Sequence, residues 1–143
     1  MNFPESSYRF LIEKHNAKVI DQVYDSESFG NYYTELECQN LGIMYVNDRG
    51  IHAITIWSRF DPGIDEFIKN EFEVCNVGYC LSPHEVDCDN YSDLDNENRI
   101  KSYNQILEEN FDAINELLSL ENYAATIERW HKLLKERFER RAN

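Results

Sequence analysis

The chain of 143 residues carries 27 acidic and 14 basic side chains, and its hydrophobic fraction of 42% predicts a folded globular protein rather than a disordered one. A formal net charge of −13 repels phosphates and anionic lipid headgroups, so neither nucleic acid nor a membrane surface is an expected partner. No stretch of eighteen apolar residues occurs and the N-terminus, MNFPESSYRF, has no signal-peptide pattern, so we expect a cytoplasmic protein with reduced cysteines.

The N-terminal segment predicts one short helix and one strand. Residues 3–16 place Tyr8, Leu11 and Ile12 on one helical face, which is typical of an amphipathic helix. Residues 18–25, KVIDQVYD, alternate in a way that predicts a strand with one half-buried face.

The central prediction is a β-meander over residues 29–57, FGNYYTELECQNLGIMYVNDRGIHAITIW. Three runs of β-branched and aromatic residues are separated by Gln39-Asn40 and by the sequence NDRG at 47–50. The Gly of the second turn can adopt a positive φ, which suits a tight hairpin. With the strand at 18–25, these runs predict about four antiparallel strands.

The next segment is acidic and irregular in composition. We expect a short helix at 64–68 after the Asp61-Pro62-Gly63 turn, a strand or irregular segment over 72–80, and an exposed loop over 81–98. Residues 61–97 carry 11 acidic side chains and a single basic one, Lys69. The excess negative charge of the chain is therefore concentrated before the C-terminal region.

From about residue 100 the apolar residues follow helical spacing, with a break at 119–122. Two amphipathic helices in a hairpin need a larger apolar partner than each other, and the meander offers one face. We therefore predict an α+β fold in one domain, 1–143. Its parts are an N-terminal helix plus meander (1–58), an acidic irregular segment (59–98) and a helical hairpin (99–143) packed on one face of the sheet.

Candidate ligands for a metal ion are Cys75, Cys80, His84 and Cys88. Three thiolates with one imidazole can complete a tetrahedral zinc site, but the spacing C-x4-C-x3-H-x3-C matches no common zinc signature. Ordinary reduced thiols are the favoured interpretation and the zinc site is the alternative, so we expect neither a metal ion nor a cofactor.

Enzymatic motifs are weak in this sequence. Cys38 with His52 is one conceivable nucleophile pair, since neighbouring strands could bring them close, but no third, orienting residue is identifiable. We expect a protein that is not an enzyme.

The pattern SFGNYYTELECQNLGIMYVNDRGIHAITIWS resembles a group of small acidic bacterial proteins that are similar to immunity proteins of polymorphic toxin and contact-dependent inhibition systems. The resemblance covers roughly residues 8–58 and does not extend to the helical hairpin. It implies a non-catalytic cytoplasmic inhibitor that binds one cognate toxin domain. Many such toxin domains are nucleases with basic clefts, for which clustered carboxylates are a complementary surface.

The expected contacts with a basic toxin domain are carboxylates and aromatic side chains. They are Asp87, Asp89, Asp93, Asp95 and Glu97 in the acidic segment, Glu35 and Glu37 on the sheet, and Tyr79 and Tyr91 as aromatic anchors. Two alternatives remain open: an adaptor or regulatory module that binds another protein through its C-terminal helices, and a metal-binding or cysteine-dependent enzyme. The sequence does not indicate an oligomeric state.

Overall fold

A computed structural model describes residues 3–27, 30–65, 69, 71–82 and 94–142. A 3₁₀ turn at Glu5–Ser7 precedes the regular elements, which are given in chain order. They are α1 (Arg9–His15), β1 (Lys18–Asp25), β2 (Asn31–Cys38), β3 (Leu41–Asp48), β4 (Ile51–Ser58), α2 (Val74–Leu81), α3 (Asn96–Glu109), α4 (Phe111–Leu117) and α5 (Tyr123–Ala142).

The four strands form one antiparallel sheet in the order β1-β2-β3-β4, so the predicted meander and the α+β fold are confirmed. The β3–β4 turn consists of Arg49 and Gly50, and both have positive φ, as a type I′ hairpin turn requires. The β2–β3 turn places Gln39 at φ 55. Asn115 of α4 stabilises that turn, because its Oδ1 accepts from the Asn40 N–H at 3.0 Å.

One face of the sheet, the inner face, packs against the helices. The buried core of that face comprises Leu36, Cys38, Leu41, Ile43, Tyr45, Ile54 and Ile56. The Tyr45 hydroxyl donates to Asn104 Oδ1 of α3 at 2.5 Å, and the Ser58 hydroxyl donates to the Leu118 carbonyl at 2.7 Å. These bonds fix the helical layer to the sheet at two separate points.

The two edges of the sheet differ. Beyond β4, the Ile56 N–H donates to the Phe72 carbonyl at 2.9 Å, and Thr55 forms an isolated antiparallel bridge with Glu73. On β1, Val19, Ile20 and Tyr24 are 40%, 46% and 47% exposed. The predicted strand at 18–25 is confirmed, but its predicted half-buried face is wrong, because no described helix covers this edge strand.

The segment at 72–80 was predicted as strand or irregular structure, and this prediction is wrong, because residues 74–81 form α2. Most of α2 is buried, including Val74, Val77 and Tyr79, and it packs against α3 and α5. A short apolar run has the same appearance in a buried helix and in a buried strand, so periodicity alone does not separate them.

The helical region also differs in detail from its prediction. The last part of the loop predicted over 81–98 is already helical, since α3 begins at Asn96 after the capping residue Asp95, whose Oδ1 accepts from the Asn98 N–H at 2.9 Å. The first long helix is divided at Asn110, whose side chain donates to the Ile106 carbonyl at 2.8 Å. The helix predicted at 64–68 and the loop at 83–93 fall largely or wholly outside the described residues.

Candidate partner-binding site

A row of side chains crosses the outer face of the sheet, which is the face turned away from the helices. Cross-strand register pairs each member with the next, and neighbours in such a row have Cβ atoms about 4.5–5.5 Å apart. The row, called here the acidic row, consists of Asp21, Glu35, Met44, Thr55 and Glu73. It therefore contains three carboxylates on three different segments of the chain.

The acidic row lines a groove of about 800 Å³, called here the outer-face groove. Its walls include the half-buried side chains of Tyr33, Val46 and Ala53, together with Asp48 near the β3–β4 turn. This volume is in the range of ligand pockets, and the mixture of apolar walls with a few polar groups is typical of them.

The charge of the outer-face groove is negative. Four carboxylates line it, and among its described lining residues Lys69 is the only cation. The Tyr33 hydroxyl donates to Asp21 Oδ2 at 3.3 Å, and Lys69 Nζ donates to Glu35 Oε1 at 2.6 Å. The groove is therefore suited to a positively charged group.

Lys69 is held by a second interaction, because its ammonium nitrogen lies 5.2 Å from the centroid of the Trp57 ring. Trp57 lies across Gly42 on the neighbouring strand, and a Cβ atom at Gly42 would be 2.0 Å from Trp57 Cε2. Glycine at position 42 is therefore what allows this ring to lie against the sheet beside the groove.

Thr55 is one of the residues that line the groove. Thr55 is 2% exposed, and its Oγ1 has no hydrogen-bond partner among the described residues. Ser119 Oγ and Trp130 Nε1 share this property, but neither residue lines the outer-face groove. A buried hydroxyl without a partner is costly, so Thr55 marks the point where a ligand group would be best placed.

Two of the contacts expected from the sequence lie on this face. Glu35 is a member of the acidic row, and Glu37 lies one step further along the same face of β2, where Arg59 Nη2 is 3.2 Å from its Oε2. Both carboxylates are therefore ion-paired within the chain, and the Glu35 side chain is only 11% exposed.

The other expected contacts are dispersed. Asp95 caps α3, and Glu97 lines a second groove of about 830 Å³ between the 3₁₀ turn and α3. Tyr79 is buried, and its hydroxyl accepts from Arg140 Nη2 at 2.9 Å while Arg137 lies over its ring, so it joins α2 to α5. The remaining expected contacts, Asp87, Asp89, Tyr91 and Asp93, lie outside the described residues.

The described part of the structure does not bring the four candidate zinc ligands together. Cys75 and Cys80 are buried in α2, and His84 and Cys88 lie outside the described residues. Within the described ranges, no group of three His, Cys, Asp or Glu side chains could hold a metal ion. The four-ligand zinc site, the less favoured alternative, includes two residues outside the described ranges and is therefore not tested.

Cys38 and His52 lie at opposite ends of the sheet, so the expectation that strand pairing brings them close is wrong. Cys38 is in register with Leu41 and Ser58, and Ser58 lies six residues from His52 along β4, about 20 Å away. Burial raises the pKa of the Cys38 thiol to about 11, which disfavours the thiolate. Burial and the nearby Arg99 lower the pKa of His52 below its ordinary value.

Comparison of the chain with protein-family models, with curated proteins and with solved structures finds no match. The resemblance to immunity proteins therefore stays a prediction. In the part of the chain that the structure describes, no helix has the length and apolar character needed to cross a lipid bilayer.

Asp21, Tyr33, Thr55 and Glu73 were not expected as site residues. Strand alternation in β2 places Tyr33 on the same face as Glu35 and Glu37, so that one residue could have been found from the sequence. The other three depend on cross-strand register and on the bridge to Glu73, which no local pattern in the sequence specifies.

Proposed function

We propose that this chain is a non-catalytic binding protein that holds a cationic region of a protein partner on the outer face of its sheet. The observation that supports this most is the acidic row, in which Asp21 and Glu35 are direct cross-strand neighbours. Lys69 neutralises Glu35, whereas Asp21 and Glu73 form no ion pair among the described residues, so the row keeps negative charge that a cationic partner can meet.

A protein is a better match to this surface than a small molecule. Asp21 belongs to the edge strand β1, on which Val19, Ile20 and Tyr24 are also exposed. An interface that combines apolar side chains with a charged area is typical of protein recognition. A cationic partner would also associate rapidly with a chain of net charge −13.

We further propose that the partner is a basic toxin domain, for instance a nuclease, and that the chain is its immunity protein. The resemblance over residues 8–58 and the excess of carboxylates support this assignment. Carboxylates on the inhibitor would compete with substrate phosphate for the basic residues of such a domain. Catalysis by the chain itself has no part in this mechanism.

A growth assay tests the proposal. The product of the adjoining reading frame is expressed in a susceptible bacterial host with and without this chain. The proposal expects growth arrest that the chain relieves, and expects that Asp21→Asn combined with Glu73→Gln abolishes the relief. The matched control, Glu128→Gln with Glu139→Gln, changes the net charge equally at exposed sites on α5 and should still protect.

A second candidate is an adaptor module without a toxin partner. The observation that favours it is Phe138, which is 74% exposed on α5 and lies away from the outer-face groove. If the adjoining product is harmless and Phe138→Ala, but not the double variant at Asp21 and Glu73, removes binding to a captured protein, the adaptor function is favoured instead.

A further inference from the structure

Two buried threonines on the same sheet differ in one respect. Thr34 is on the inner face, where Gln22 Nε2 lies 3.5 Å from its hydroxyl, whereas Thr55 is on the outer face and has no partner among the described residues. Both are at most 2% exposed. The sheet thus keeps a polar hydroxyl at position 55, where an isosteric valine would fill the same space without an unsatisfied group.

The neighbours of Thr55 specify which chemical group would satisfy it. Glu73 is bridged to Thr55 and lines the same groove, and its Oε2 accepts from Cys75 Sγ at 3.7 Å. Met44 is the neighbour of Thr55 on the other side. Ionised carboxylates only accept hydrogen bonds, and the hydroxyl oxygen has lone pairs to offer. The complementary group is therefore cationic and carries several donors in a fixed arrangement.

Arginine meets these requirements better than lysine. Its guanidinium presents five N–H donors in a planar fork, which can contact two separate acceptors at once, whereas the lysine ammonium is a compact and strongly hydrated charge. The aliphatic part of an arginine side chain can also pack on apolar surface, and Met44, Val46 and Ala53 provide such a surface in the groove.

We propose that the outer-face groove binds an arginine side chain of the partner, with the guanidinium donating to Thr55 Oγ1 and to the Glu73 carboxylate. This inference rests on the proposed function only in taking the partner to be a cationic protein. It adds that the recognised side chain is arginine and that Thr55 is a residue that recognises it. Asp21 also lines the groove and can meet a further basic group, whereas Asp48 already has Arg49 Nε 3.9 Å from its Oδ1.

Binding of synthetic peptides tests this assignment. Fluorescently labelled heptapeptides Gly-Lys-Gly-X-Gly-Lys-Gly, with X as arginine, lysine or citrulline, are titrated with the folded chain and followed by anisotropy. Citrulline has the shape of arginine without its charge. The arginine peptide should bind about tenfold more tightly than either of the others, which corresponds to one charge-assisted hydrogen bond.

Three variants locate the effect. Thr55→Val should reduce the affinity for the arginine peptide about tenfold, Thr55→Ser should retain it, and Thr34→Val should leave it unchanged. Each variant is checked by circular dichroism for native folding. Equal affinity of wild type and Thr55→Val, or equal affinity for arginine and lysine peptides, or no binding of any peptide, would overturn the inference.

The outcomes separate this inference from the proposed function. Thr55-dependent binding of the arginine peptide, together with an adjoining gene product that is not toxic, supports the arginine site and removes the immunity role. If growth protection needs Asp21 and Glu73 but peptide binding does not depend on Thr55, the immunity role is supported and the arginine site is refuted.

Discussion

The Lys69 ammonium lies 2.6 Å from Glu35 Oε1, so the second carboxylate of the acidic row is neutralised by the chain's own cation. Both side chains are largely buried, at 24% and 11% exposure, and the same ammonium faces the Trp57 ring. The carboxylates of Asp21 and Glu73 are therefore better candidates than Glu35 for contact with a basic residue of the partner, because Glu35 already pairs with Lys69.

The Lys69–Glu35 pair should contribute measurably to stability. In a double-mutant cycle with Lys69→Met and Glu35→Gln, we expect a coupling energy of about 1 kcal/mol or more, because the pair is shielded from solvent. Urea unfolding measures it. The exposed Lys14–Glu108 pair is the control and should give about 0.5 kcal/mol or less, so equal coupling in the two cycles would contradict the prediction.

Thr55→Val should stabilise the free protein. The substitution removes a buried hydroxyl that has no partner within the described structure, and we expect the free energy of unfolding to rise by about 1 kcal/mol. Thr34→Val should instead lower it, because the hydrogen bond with Gln22 is lost. Urea unfolding at pH 7 compares them, and a destabilised Thr55→Val would mean that this hydroxyl is bonded in the native state.

Gly42→Ala should disrupt the packing of Trp57 on the outer face of the sheet. The added Cβ would lie 2.0 Å from Trp57, so the ring must move away from the sheet and from Lys69. Overpacking of this kind costs about 1–3 kcal/mol in the free energy of unfolding. Gly63→Ala is the control, because its Cβ would meet only Asp61 Oδ1 at 3.4 Å, and a similar loss in both variants would refute the steric explanation.

His52 should titrate below the ordinary histidine pKa of 6.5, because burial and Arg99 disfavour its protonated form. The folded chain then binds fewer protons than the unfolded chain as the pH falls through 6.5. Stability should decrease from there towards the folded pKa and level off below it. An NMR titration of the His52 ring gives the value directly, and a pKa of 6.5 or higher would contradict this prediction.

The sequence predicted the sheet well because its turns are locally specified, as Arg49-Gly50 and Gln39-Asn40 illustrate. It did not predict the acidic row, because a bulge between Val19 and Asp21 turns the Asp21 side chain to the outer face. Glu73 joins the row through a bridge that directly precedes α2, a helix that the sequence did not reveal. Cross-strand neighbours follow from register, and a shift of one residue would have replaced every one of them.

A chemical-shift map of the backbone amides tests the binding surface most directly. The ¹⁵N-labelled chain is titrated with the arginine heptapeptide at low salt, and the shifted amides are placed on the structure. We predict that the shifts cluster at Asp21, Tyr33, Thr55 and Glu73. Shifts centred on Glu97 or on α5, or spread evenly over the surface, would contradict binding at the acidic row.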